Sequence, residues 1–219
     1  IVDRDADLDN AAMRIVTGRF LNAGQTCIAP DYCFAHKDIK EKFLAKVKEY
    51  KEKFHGQDPK QDPHYARMIN EWHTERIKSY LDEKHGGKIV FGGEVDIKQK
   101  YVAPTVVDSP SFNCKMMQDE IFGPILPVYE FSDIDTVIKF INDREKPLAL
   151  YYYGSNSSKS KERLINETSS GAVMVNDSLF HILNSELPFG GVGNSGYGAC
   201  HGKQGFDCLT HKKPVMEKY

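Results

Sequence analysis

Between residues 88 and 175 short apolar segments alternate with amphipathic stretches, and this rhythm restricts the chain more than any other feature of it. Lys88–Phe91, Tyr101–Val107, Ile125–Tyr129, Leu148–Tyr153 and Ala172–Val175 are rich in β-branched and aromatic residues. Their apolar character is nearly continuous, as strands covered on both faces require. Asp133 reads as the N-cap of a helix carrying Ile134, Val137, Ile138 and Ile141, and Lys159–Glu167 reads as another. Alternation of this kind predicts an α/β fold with a largely parallel sheet and flanking helices.

The first third of the chain is helical in pattern. Leu8, Ala11, Ala12, Ile15 and Val16 recur at helical spacing, and Gly18 with Asn22-Ala23-Gly24 breaks the pattern just ahead of Cys27. Asp38 and Glu41 form an expected capping box for a helix with Phe43, Leu44, Val47, Tyr50 and Phe54 on one face. Glu alternates with Lys through Lys40–Lys53, so this run is a solvated face and no nucleic-acid patch. A further helix carries Trp72, Ile77, Tyr80 and Leu81 and is expected to close at Gly86-Gly87. From Pro188 onward the chain is glycine-rich and irregular.

Composition narrows the function classes. Twenty-nine Lys and Arg against 31 Asp and Glu give a formal charge of -2, which supplies no general attraction for nucleic acid or an anionic membrane. No apolar run reaches the roughly 20 residues of a membrane-crossing helix. Five cysteines without a C-x-x-C spacing indicate neither a disulfide framework nor a zinc knuckle, so no metal is expected and a reducing compartment is. The acidic opening Asp3–Asp9 has no signal-peptide grammar and reads as an interior start.

Four features carry possible chemistry. Gly191-Val192-Gly193-Asn194-Ser195-Gly196 contains G-x-G-x-x-G, but it follows no strand and opens no clear helix, so a tight turn is the preferred reading over a dinucleotide loop. Cys27 follows a glycine-containing loop with polar predecessors, where backbone N–H groups could face an oxyanion. A lone cysteine is otherwise more often a small buried hydrophobe. His181 and His201 are the candidates for a Cys–His pair, with structural histidines as the default. The charged pair Asp119-Glu120 abuts a buried-strand entrance and must be solvated, paired or bound to a ligand.

Three ordered blocks add a resemblance. Phe20-Leu21-Asn22-Ala23-Gly24-Gln25-Thr26-Cys27-Ile28-Ala29-Pro30 resembles the active-site cysteine signature of the aldehyde dehydrogenase superfamily. Gln118-Asp119-Glu120-Ile121-Phe122-Gly123-Pro124 resembles its E-x-F-G-P motif, and Leu187-Pro188-Phe189-Gly190-Gly191 its P-F-G-G segment. Arg144–Leu150, Glu167–Gly171, Asn176-Asp177 and His201-Gly202-Lys203 look like the class 3 branch, which includes fatty and aromatic aldehyde enzymes. Asp119 stands where Glu is usual, and Tyr197 where Met is frequent.

The resemblance implies NAD(P)-dependent oxidation of a medium-chain or aromatic aldehyde to the acid through a thiohemiacetal and a thioester on Cys27. It further implies that Glu120 bonds the nicotinamide ribose, Phe122 packs at the ribose and ring, Leu148 neighbours the nicotinamide, and Phe189 walls the aldehyde pocket. Residues 1–209 would be the catalytic domain and 210–219 a tail that helps two copies pair as a homodimer. The family's general-base Glu, oxyanion-hole Asn and dinucleotide domain would lie upstream of Ile1, so the chain by itself is expected to be inactive. The expected location is cytoplasmic, the membrane-anchoring tail of some class 3 relatives being absent before Tyr219. Two alternatives stay open: a non-catalytic structural or interaction subunit that kept the fold, and a cysteine hydrolase pairing Cys27 with a histidine.

Overall fold

The apolar segments become strands of an α/β fold in a computed structural model that describes residues 1–219. The strands are β1 (Cys33–His36), β2 (Lys88–Phe91), β3 (Val95–Asp96), β4 (Tyr101–Val102), β5 (Thr105–Asp108), β6 (Ile125–Phe131), β7 (Ala149–Tyr152) and β8 (Ala172–Val175). The helices are α1 (Leu8–Phe20), α2 (Lys40–His55), α3 (Glu71–Asp82), α4 (Ile134–Asn142), α5 (Lys159–Glu167) and α6 (Gly202–Cys208). The main sheet runs β1-β6-β5-β2. Its first three strands are parallel, with Cys33 opposite Val128 and Thr105 opposite Ile125, while β2 is antiparallel to β5. A parallel pair β7-β8 places Ala149 opposite Ala172, and β3-β4 is a small antiparallel ribbon.

Val2 joins the two parallel assemblies. Its N–H donates to Phe34 O (2.7 Å) and its carbonyl accepts from His36 N (2.9 Å), while Asp3 N donates to Tyr153 O and Tyr153 N to Ile1 O on the other side. One extended residue therefore lies between β1 and β7 and continues the sheet from one assembly to the next.

Side-chain alternation divides the core across this sheet. Cys33, Ala35, Leu126, Val128, Tyr151 and Tyr153 face α1 and α2, in a cluster with Ile15, Phe20, Phe43 and Val47. Phe34, Tyr129, Phe131, Leu150 and Tyr152 face the other way, against Val137, Ile138 and Ile141 of α4 and Leu164 of α5. Both faces are covered, which explains the continuous apolar runs.

Several local expectations need correction. Tyr101–Val107 is two strands, because Pro104 offers no N–H and the chain changes partners there. The Asp38-Glu41 capping box does not form: Ile39 is the N-cap of α2, and the Asp38 N–H donates to His36 Nδ1 instead. α3 ends at Asp82, four residues before the expected glycines. Strand β1 and helix α6 had no clear signature in the sequence. Asp133 does cap α4, its side chain accepting from Asp135 N.

Candidate active site

Cys27 is delivered to the surface by backbone conformation. After α1, the residues Asn22, Ala23 and Gly24 take successive left-handed conformations (φ 52°, 53° and 72°), which reverse the chain in a few residues. Gly24 is required there twice over. Its φ favours glycine, and a Cβ would stand 2.3 Å from the carbonyl oxygen of Gly123. The Gln25 side chain pins the loop from outside: its amide donates to Asn22 O and Arg67 O, and its carbonyl accepts from Ile69 N. A turn closed by Ala29 N donating to Thr26 O (3.0 Å) then presents Cys27, which is exposed. The next residue, Ile28, is buried and accepts a hydrogen bond from the Tyr151 hydroxyl (2.7 Å).

A cleft of about 1060 Å³ opens beside this turn, at the upper end of the size range of ligand sites. Cys27, Asp31, Glu120, Leu148, Asn194 and Ser195 all contribute to its wall. Three of the residues singled out in the sequence, Cys27, Glu120 and Leu148, thus share one cavity. Phe122 and Phe189 do not line it. Phe122 sits in a left-handed conformation (φ 44°) on the loop beyond Glu120, and Phe189 is half-buried between the rings of His181 and His201, each 6.0 Å away. The glycine-rich 191–196 segment is a short turn rather than a dinucleotide loop, as its setting in the sequence implied.

Electrostatics distinguish the groups around the cleft. Partial burial, and then the neighbouring Asp31 carboxylate, push Glu120 above the usual carboxylate range, against the pull of Arg19 and Arg76. Cys33, in the core, is pushed up to about 11 by burial and is no nucleophile. His181 is held below its ordinary value by burial, and neither of its ring nitrogens has a hydrogen-bond partner. Its ring lies 6.1 Å from Tyr151 and 6.0 Å from Phe189, and it makes no hydrogen bond to a thiol.

The residues that the sequence reading passed over are the supports. Arg19 and Asp31 form a 3.3 Å ion pair behind the cleft, Arg76 donates to the carbonyls of Glu120 and Ile121, and Tyr151 holds the Cys27 turn. One signal was present: Arg19 falls on the apolar face of α1, four residues after Ile15, where a charge needs an explanation.

The α/β scaffold thus presents an exposed cysteine on a cleft, with a carboxylate and an apolar wall beside it. A family model described as the aldehyde dehydrogenase family matches residues 1–215, and the chain belongs to that family. It is 48% identical over 217 residues to aldehyde dehydrogenase family 3 member A2 of Rattus norvegicus, covering 99% of this chain and 44% of that protein. It is 46% identical to the dimeric NADP-preferring aldehyde dehydrogenase of Mus musculus, over 98% of this chain and 47% of the relative. The substrate-bound structure of Staphylococcus aureus AldH superposes with a TM-score of 0.91 at 41% identity, covering all of this chain and 48% of that one. The chain therefore spans about half the length of the relatives it matches.

Proposed function

We propose that this chain supplies the nucleophile and part of the cofactor-facing wall for NAD(P)-dependent oxidation of an aldehyde to its acid. The observation that carries the reading is the exposed Cys27 on the same cleft as Glu120 and Leu148. The Cys27 thiolate adds to the aldehyde carbonyl, forming a C–S bond, and the carbonyl oxygen becomes an oxyanion beside the loop. Loss of hydride from that carbon restores the carbonyl as a thioester, and water then cleaves the C–S bond to give the acid and the free thiol. NAD(P)⁺, when bound, supplies the hydride acceptor.

The residues present fit the nicotinamide end of such a cofactor. Glu120 offers acceptor oxygens at the cleft for ribose hydroxyls, and Leu148 offers an apolar surface for a ring. Phe122, on the same loop as Glu120, packs at the ribose and ring, and Phe189 with its flanking histidines borders the aldehyde pocket. NADP use is supported by the name of the mouse relative, and a medium-chain or aromatic aldehyde by the resemblance of Arg144–Leu150, Glu167–Gly171 and His201-Gly202-Lys203 to the class 3 branch. The same mouse protein is named dimeric, which supports pairing of two copies. The tail Thr210–Tyr219, with Val215, Met216 and Tyr219 exposed, is the segment to bring them together. No helix is long and apolar enough to cross a membrane.

Acyl transfer tests the nucleophile without the cofactor. Incubated with p-nitrophenyl acetate, the chain is expected to carry an acetyl group on the peptide containing Cys27, and Cys27→Ser is expected to abolish it. Joined to the remaining half of the rat relative, the chain is expected to produce NAD(P)H from an aromatic aldehyde, with a loss of about 1000-fold or more in the same variant. Turnover that survives Cys27→Ser would refute the assignment.

A further inference from the structure

The least expected side chain in the molecule is Arg19, 1% exposed on the core face of α1. Leu or Met would fill that volume without removing a charge from water, so the guanidinium calls for a reason beyond packing. Its hydrogen bonds show what it does. Nη1 donates to Pro30 O (3.2 Å) and to Asp31 Oδ1 (3.3 Å), just downstream of Cys27. Nη2 donates to the carbonyl of Gly123, on the loop that carries Glu120. Asp31 Oδ1 in turn accepts from Ile121 N (3.2 Å).

The Ile121–Gly123 segment is therefore gripped at its N–H end by Asp31 and at its C=O end by Arg19. It lies outside the strands, and Phe122 is held left-handed between the two grips. From the other side Arg76 donates to Ile121 O (2.7 Å), but α3 carries no part of the Cys27 loop. From the end of α1, Arg19 reaches both loops. The two η nitrogens of a planar fork serve separate segments at once, which the single nitrogen of lysine does poorly.

We propose that Arg19 is a positioning residue that, through Asp31, fixes the loop bearing Glu120 against the loop bearing Cys27. Arg19 does not line the cleft and acts only through these neighbours. The inference rests on the reading of Cys27 and Glu120 as the reacting and cofactor-facing groups, and it deepens that reading.

Amide hydrogen exchange on the 219-residue protein tests it. In Arg19→Ala, peptides covering 118–124 are expected to exchange at least about 10-fold faster, while those covering α2 and β6 stay within about 2-fold. Guanidinium chloride at tens of millimolar, far below denaturing levels, should restore the protection, whereas sodium chloride at the same concentration should not. Arg19→Lys should rescue only partly. Because removing one partner of a buried pair can unfold a protein, Arg19→Met with Asp31→Asn provides a second route. It removes both charges together, keeps the volume and leaves Ile121 N an acceptor, and the same local loosening is expected. Unchanged exchange at 118–124 in either folded variant overturns the proposal. So does a uniform rise along the chain, or protection that guanidinium cannot restore. The ester assay keeps the two claims apart, since an acetyl adduct that persists in Cys27→Ser defeats the nucleophile assignment and leaves the exchange result standing.

Discussion

Two glycine-bearing segments border the cleft and are held in opposite ways. Residues 22–31 are clamped by groups from elsewhere in the chain: Gly123 against Gly24, the Arg19 guanidinium on Pro30 and Asp31, and the Tyr151 hydroxyl on Ile28. Residues 187–209 are held mostly by themselves, through the reciprocal pair between Phe189 and Cys200 and the Ser195 hydroxyl bonded to Val192. Tyr197 and Leu209 there are 98% and 90% exposed. Left-handed glycines occur in both, Gly24 in the first and Gly193 and Gly198 in the second, so the presence of such a glycine says little about how firmly a loop is held. What differs is whether buried polar groups from other elements reach in, and Cys27 sits where they do.

The largest expected break in this comparison comes from Gly24→Ala. A Cβ 2.3 Å from the Gly123 carbonyl, at a φ of +72°, must push the two loops apart. The expected loss is about 3 kcal/mol or more in urea unfolding, with the Cys27 and Glu120 loops displaced together. Gly193→Ala is the control. Its φ is also positive (+64°), yet the nearest atom is Lys146 Cδ at 3.7 Å, so only the backbone preference is lost, about 1 kcal/mol. Equal losses at the two positions would erase the distinction.

Thiol chemistry gives a finer measure. At neutral pH iodoacetamide should modify Cys27, Cys200 and Cys208, which are exposed, about 100-fold faster than the buried Cys33 and Cys114, as read by peptide mass spectrometry. Rapid labelling of Cys33 in the folded protein would mean that the sheet beneath the cleft opens. The smallest effect concerns His181, whose pKa burial holds below the unfolded value. The unfolded chain then binds more protons below about pH 6.5, so this residue's contribution to stability is full above that pH and falls as the pH drops. His181→Gln is expected to flatten the acid side of the stability profile slightly. An unaltered slope would show that the ring is solvated when folded.

Where sequence signals succeeded, they were local. β2, β8 and α5 match their expected limits, because each is an apolar or amphipathic run with its own flanking punctuation. β1 was not legible, since four residues ending in His36 become a central strand only through partners supplied by β6 and Val2. The site shows the same division. Cys27 and Glu120 stood out through their immediate neighbours, and Leu148 only through the family resemblance. Asp31, Arg76 and Tyr151 gain meaning from contacts with residues distant in the chain, which no spacing encodes. Arg19 was the exception that could have been caught, as a charge on a helical face otherwise occupied by Ala11, Ile15 and Val16.

The stitch made by Val2 bears on the width of the cleft. Cys27 and Glu120 hang from the side of the sheet that contains β1 and β6, and Leu148 enters β7 on the opposite side, while Ile1, Cys33 and Tyr153 pave the bottom between them. That gap is spanned by one residue of backbone, so Val2 works as the spacer block of a caliper, holding the sulfur of Cys27 and the side chain of Leu148 at a set opening. Any change that let the two jaws slide past each other would reset the opening from underneath, without touching a single side chain on its rim.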